Sequence, residues 1–216
     1  MEIKNIIFDL GGVIYDIRYE NIADKFREYG LSDFERYYTK TAQADAIDLF
    51  EEGKMSVPEF REYIRSVSDI QLTDEQIDTA WNSILIGVPK SRWDLLGKLR
   101  TKYNTFLFSN TNQLNYECFM AETERLYGFN LFEVSFINAY FSQLMGTRKP
   151  KLDGFQTIIA ENNLNPAETL FIDDNPQNVE AARKAGLHAY HLQKPKRLDD
   201  LFTPRFALIP EVLNSL

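Results

Sequence analysis

The chain has 216 residues, 44% hydrophobic and 13% aromatic, enough to bury a full core as one domain with a sizeable insertion or as two small domains. Its formal net charge of −8 argues against a general binder of nucleic acid or anionic membranes, either of which needs clustered Lys and Arg. A single cysteine, Cys118, excludes an internal disulfide and a multi-cysteine zinc site, and two histidines, His188 and His191, offer little for catalysis.

The first element in chain order is the apolar strand IKNIIFD (3–9), which ends in Asp9 and runs straight into Gly11 and Gly12, with the next acid at Asp16. This N-terminal stretch has no cationic n-region and too short an apolar run for a signal peptide, and no later stretch is apolar enough to span a bilayer, so a cytoplasmic location is the default expectation.

Residues 16–90 contain no good strand but several helical patterns. YENIADKFREYG places Ile22, Phe26 and Tyr29 at helical spacing, with Gly30 as the stop. SVPEFREYIRSV has Ser56 as N-cap, Pro58 and Glu59 in its first turn, and Phe60, Ile64 and Val67 on one face. TDEQIDTAWNSIL repeats the design behind Thr73, with Gln76 in the first turn. These helices are expected to form a bundle inserted after the first strand, a lid over whatever the strand ends hold. The aromatic segment FERYYTK (34–40) would either line a pocket or pack within that bundle.

Beyond it, KSRWDLLGKLRTKY (90–103) reads as a core helix with Trp93, Leu96 and Leu99 or Arg100 at its seam. The remaining strands are NTFLFSN (104–110), EVSFINA (133–139), TLFIDD (169–174) and LHAYHL (187–192). Cys118 is expected inside a helix, and both histidines at the last strand and its exit. Helices follow at 151–164 and 175–186, the second with Asn175 as N-cap, Pro176 at its first position and Gly186 at its end. Strands alternating with helices predict βαβ units, an α/β fold with a Rossmann-like parallel sheet. The expected division is a core of residues 1–15 and 91–216 and a cap of residues 16–90. In such a sheet ligands bind at the carboxyl ends of the strands, so Asp9, Ser109 and Asp173 should converge.

FDLGGV, LFSNTN, RKPKLDGF and FIDDNPQNVEAA occur in this order over nearly the whole chain. Together they resemble the four motifs of the haloacid dehalogenase superfamily, with most likeness to its bacterial sugar-phosphate phosphatases and to the phosphatase domain of soluble epoxide hydrolases. The resemblance implies hydrolysis of a small phosphorylated metabolite through an aspartyl phosphate on Asp9. Mg²⁺ would be held by Asp9, the Gly11 carbonyl and Asp174, with Asp173 binding directly or orienting a metal-bound water. Ser109 Oγ and the Asn110 N–H would cradle the phosphoryl group, and Lys149, rather than Arg148, would supply the compensating cation.

The sequence departs from that pattern at Gly11, where most phosphatases of the family carry a second aspartate that protonates the leaving oxygen. Its loss would cost roughly 10² to 10⁴ in rate if nothing replaced it. Three readings follow: a phosphatase in which Asp16, solvent or a cap residue moves the proton or whose leaving groups need little help, a 2-haloacid dehalogenase, or a weakly active binding or regulatory protein. Against the second, Asp173 and Asp174 beside a carboxylate nucleophile would be costly without a bound cation. Asp16 itself is either the replacement acid or a hinge residue where the chain leaves the core. The sequence carries no signal for the physiological substrate or the oligomeric state.

Overall fold

A computed structural model describes residues 2–31 and 44–216; the aromatic segment 34–40 lies outside the described residues. Strands β1 (Asn5–Phe8), β4 (Asn104–Ser109), β5 (Asn138–Phe141), β6 (Thr169–Asp173) and β7 (His188–His191) form a parallel sheet in the order β5-β4-β1-β6-β7. Two short strands, β2 (Asp16–Ile17) and β3 (Leu85–Gly87), pair antiparallel as a separate ribbon.

The central strand β1 is buried at every position, as expected for a strand covered by helices on both faces. Its side chains alternate between two cores. Ile6 and Phe8 pack with Trp93, Leu96, Leu99 and Phe119 on one face, while Ile7 packs with Phe108, Phe155, Phe171 and Val179 on the other. In register, Phe8 stands between Leu107 of β4 and Ile172 of β6. Asp9, Ser109 and Asp173 therefore arrive at one edge of the sheet. The helix Lys90–Leu99 presents Trp93, Leu96 and Leu99 to the core and leaves Arg100 exposed.

Between β1 and β4 run the helices Glu20–Glu28, Ala44–Glu51, Val57–Ser66 and Asp74–Asn82. Ser56 and Thr73 each close a capping box, with Glu59 and Gln76 respectively, satisfying backbone donors that a bare helix start would leave open. These helices share a core of their own that includes Ile22, Phe26, Phe50, Phe60, Ile64, Ile77 and Trp81, with Phe50 and Phe60 stacked at 4.1 Å. Leu114, at the start of the helix Gln113–Tyr127, joins that core, and Asn115 Nδ2 donates to Asn82 Oδ1 at 2.9 Å.

Two expectations are corrected. Residues 133–139 are not one strand: Leu131–Ser135 is a helix, capped by Asn130 accepting from Phe132 N at 3.0 Å, and β5 begins only at Asn138. Burial of Phe132 and Phe136 explains the error, because a short apolar run serves a buried helix as well as a strand. The section 16–90, read as free of strands, contributes β2 and β3, which at two and three residues are too short to show an alternation. No helix among the described residues is long and apolar enough to cross a membrane.

Candidate active site

The floor of the site is built at the ends of β1 and β6. Asp9 extends β1 by donating its N–H to the carbonyl of Ile172 at 2.9 Å, which sets its carboxylate beside that of Asp173. Lys149 lies between them, 1% exposed, with Nζ 2.6 Å from Asp9 Oδ1 and 2.7 Å from Asp173 Oδ2. The lysine is itself clamped: Asn110 Nδ2 donates to the Lys149 carbonyl and Lys149 N–H donates to Asn110 Oδ1, both at 2.9 Å. With its side chain so occupied, Asn110 can offer a ligand its backbone N–H. Ser109 is buried, and its Oγ lies 3.4 Å from the Asn110 carbonyl, near the long limit of a hydrogen bond, so it keeps donor capacity for a ligand.

Asp173 and Asp174 differ sharply in surroundings. Asp173 is fully buried and accepts from Lys149 Nζ, from Asn175 N–H at 2.7 Å and from Asn178 Nδ2 at 3.0 Å. Asp174 is exposed at the start of the loop into the helix Pro176–Lys184, and its carbonyl takes a 2.9 Å hydrogen bond from His191 Nε2. Gly12, at φ +78°, passes so close to Asp174 that a Cβ there would fall on its carboxylate oxygen. Glycine thus keeps open the ground beside that carboxylate.

One oxygen from each of Asp9, Asp173 and Asp174 can lie within 4.8 Å of the others. Burial pushes the Asp9 carboxyl up to about 7, with Lys149 opposing and Asp173 and Asp174 adding to it. Asp174 is raised as well, by partial desolvation and then by Asp173. Burial works against the Lys149 ammonium, yet Asp173 and Asp9 together hold it above its ordinary value. Three carboxylates thus share one buried cation. A set of hard oxygen donors short of positive charge fits Mg²⁺ in ligand type and in charge.

Asp9, Gly11, Ser109, Asn110, Lys149 and Asp174 line one cavity of about 170 Å³, with Thr111, Asn115 and Phe119 from the sheet side and Tyr19, Glu51, Ile84 and Leu85 from the helical section. The structure does not bring Asp16 there. Tyr15 and Ile17 line the cavity, while the Asp16 carboxylate meets Arg92 Nη1 at 2.9 Å. Arg92 is 3% exposed and also holds the Ile14 carbonyl, so Asp16 anchors the ribbon to the core. In this structure Asp16 therefore pairs with Arg92 and does not line the cavity.

Two cavity residues escaped sequence reasoning in the roles they hold. Arg148 turns away from the floor and pairs with Asp48 and with Glu51, its Nε lying 3.0 Å from Glu51 Oε2. Glu51 closes the helix Ala44–Glu51, and burial pushes its carboxyl up to about 7, with Lys149 opposing and Asp9 and Glu52 adding. One signal could have found it: Glu51 and Glu52 fall at a helix C-terminus, where the macrodipole disfavours negative charge.

Residues 3–186 match the sequence model of the haloacid dehalogenase-like hydrolases. The chain belongs to that family. Among haloacid dehalogenase-like hydrolases it is similar to D-ribitol-5-phosphate phosphatase of Bacteroides thetaiotaomicron, 32% identical over 193 residues, which are 87% of this chain and 91% of the relative. It is also similar to a sesquiterpene phosphatase of Aspergillus oryzae, 27% identical over 190 residues, 88% of this chain and 89% of that protein. A crystal structure of a family enzyme from B. thetaiotaomicron in complex with magnesium and inorganic phosphate matches with a TM-score of 0.83 at 32% identity, over 93% of this chain and 100% of that one.

Proposed function

We propose that the protein is a magnesium-dependent phosphomonoester hydrolase acting on a small phosphorylated metabolite, with sugar and sugar-alcohol phosphates as the first candidates, through an aspartyl phosphate on Asp9. The observation that carries this reading is the pair of carboxylates, Asp9 and Asp173, gripping one buried lysine, with Asp174 open beside them. Its relatives support it: they are named for phosphate ester hydrolysis, and one family structure holds magnesium and phosphate.

Held by Asp9, the Gly11 carbonyl and Asp174, magnesium would neutralise charge on the phosphoryl oxygens and on the floor carboxylates. The chain's own groups do the rest. Lys149 fixes the rotamer of Asp9 through Oδ1 and offsets the charge of its carboxylate, so that an anionic nucleophile can approach a phosphoryl dianion. Ser109 Oγ and the Asn110 N–H hold phosphoryl oxygens in line with it. Asp173 acts one step back, positioning Lys149 and the start of the following helix.

In this reading residues 1–15 and 91–216 form the catalytic core and residues 16–90 the cap. The cap supplies the walls that select the leaving group, and its closure excludes water. A cytoplasmic setting belongs to the same proposal, because phosphorylated metabolites are retained inside cells.

The test is hydrolysis of an aryl phosphate with and without Mg²⁺ by wild type and Asp9→Asn. Turnover that needs the metal and is abolished in the variant is expected. Equal slow turnover by both proteins would sink the nucleophile assignment, and metal-independent chloride release from a 2-haloacid would replace the reading with the dehalogenase.

A further inference from the structure

Gly11 leaves the leaving oxygen without its usual proton donor, and Asp16 is bound to Arg92. Besides the floor acids Asp9 and Asp174, the cavity has one further carboxyl among the described residues, that of Glu51. It comes from the cap side, at the C-terminal end of the helix Ala44–Glu51. Its side chain is only 19% exposed. Although Arg148 Nε lies 3.0 Å from Oε2, that oxygen is buried and accepts no aligned hydrogen bond among the described residues. An oxygen that is ion-paired but accepts no aligned hydrogen bond keeps capacity for a proton of its own or for a substrate hydroxyl. Arg148 also pairs with Asp48, so it retains a counterion whichever form Glu51 takes.

Attacking and leaving oxygens lie roughly in line through phosphorus. A phosphoryl group seated on the floor at Asp9 must therefore direct its leaving oxygen toward the cap, the side from which Glu51 enters.

We propose that Glu51 is the acid and base of the reaction, supplying from the cap the proton transfer that Gly11 cannot. The inference rests on the phosphatase reading above. In the first step an Asp9 oxygen bonds to phosphorus, the bond from phosphorus to the leaving oxygen breaks, and that oxygen keeps the electron pair and takes the Glu51 proton. In the second, the Glu51 carboxylate takes a proton from water, whose oxygen bonds to phosphorus. The Asp9–phosphorus bond then breaks with its pair returning to Asp9, giving alcohol, inorganic phosphate and a Glu51 carboxyl restored to its starting form. Burial pushes that carboxyl up to about 7, against Lys149 and with Asp9 and Glu52. The Arg148 guanidinium favours the anion, and an arriving phosphoryl dianion favours the acid. A group poised near neutral pH both gives and takes a proton well.

The experiment compares wild type, Glu51→Gln and Glu51→Asp on p-nitrophenyl phosphate, whose leaving group needs no proton, and on ethyl phosphate, whose leaving group does. For Glu51→Gln we expect ethyl phosphate turnover to fall by about 10² to 10⁴ with KM within a few-fold. On p-nitrophenyl phosphate the same variant should release a burst of about one nitrophenolate per site and then turn over slowly, because water lacks its base. The burst also reports a folded site with a working nucleophile. Wild-type kcat/KM on ethyl phosphate should decline as pH rises and the acid form is lost, a limb absent from Glu51→Gln, and Glu51→Asp should recover part of the rate.

The proposal is overturned if Glu51→Gln turns over both esters within tenfold of wild type. It is equally overturned if both rates fall together without a burst and with a raised KM, which would make Glu51 a binding group. Either result leaves the phosphatase reading standing, whereas a wild type that hydrolyses neither ester ends both.

Discussion

The floor and the roof of the cavity are built on opposite plans. On the floor, Lys149, Asp173, Asn110 and Asn178 are buried or half-buried and joined by well-placed hydrogen bonds. Across the roof, the helical section meets the sheet side through ion pairs of Arg148 with Asp48 and Glu51 and of Lys151 with Glu52, beside the Asn115–Asn82 hydrogen bond and the packing of Leu114. The first arrangement holds charge in one place, since a buried ion that loses its partner is costly. The second is more open to solvent at Arg148, Asp48 and Lys151, though Glu52 is buried, and its pairs are correspondingly weaker. A phosphatase needs both, a fixed seat for the phosphoryl group and a cover that admits one substrate after another.

The contrast is broken most severely at Lys149. Lys149→Met leaves Asp9 and Asp173 without their shared cation, and turnover is expected to fall by about 10³. Breaking a buried ion pair costs about 3–5 kcal/mol, so the urea midpoint should fall in step. A variant with wild-type stability would show that the floor does not depend on this charge.

Gly12→Ala is expected to act next. The new methyl meets the Asp174 carboxylate at a φ of +78°, so Mg²⁺ affinity measured by calorimetry should drop at least about tenfold, as it does when groups supporting a metal ligand are disturbed. Unchanged affinity would remove Asp174 from the ligand set.

The smallest effect lies in the roof. Glu51 titrates near 7 when folded and near 4.3 in an unfolded chain, so the folded state binds its proton more tightly. Its contribution to stability is therefore gained as pH falls from about 7 toward 4.3 and is least favourable above 7. Glu51→Gln removes this dependence. In urea titrations it should be more stable than wild type at pH 8, with the gap narrowing at pH 5; a gap that widens instead would mean that the Arg148 pair dominates.

The strand-end part of the floor was legible in the sequence because each such residue closes a short apolar run, Asp9 after NIIF, Ser109 after NTFLF and Asp173 after TLFI, whereas Lys149 was legible only through the resemblance of RKP to a family motif. Parallel strands carry such ends to one edge, so sequence order sufficed. Ser56 and Thr73 were legible as caps for a similar local reason, since a capping box spans four residues. The roof was not. Glu51 is one of many acids on amphipathic helices, and only tertiary packing puts it in the cavity. Asp16, near Gly11 in sequence, is drawn instead to Arg92, a residue 76 positions away that only the fold brings near. The start of β5 was misplaced because Phe132 and Phe136 reach the core from a helix and its exit.

The central claim, that Asp9 carries the phosphoryl group, is tested most directly by acid-quenching the enzyme during turnover of a 32P-labelled phosphate ester and mapping the label. The account predicts an acid-stable, hydroxylamine-labile phosphate on the peptide spanning Asp9, absent in Asp9→Asn. Turnover that continues with label on another residue, or with no labelled protein in wild type or Glu51→Gln, would contradict it.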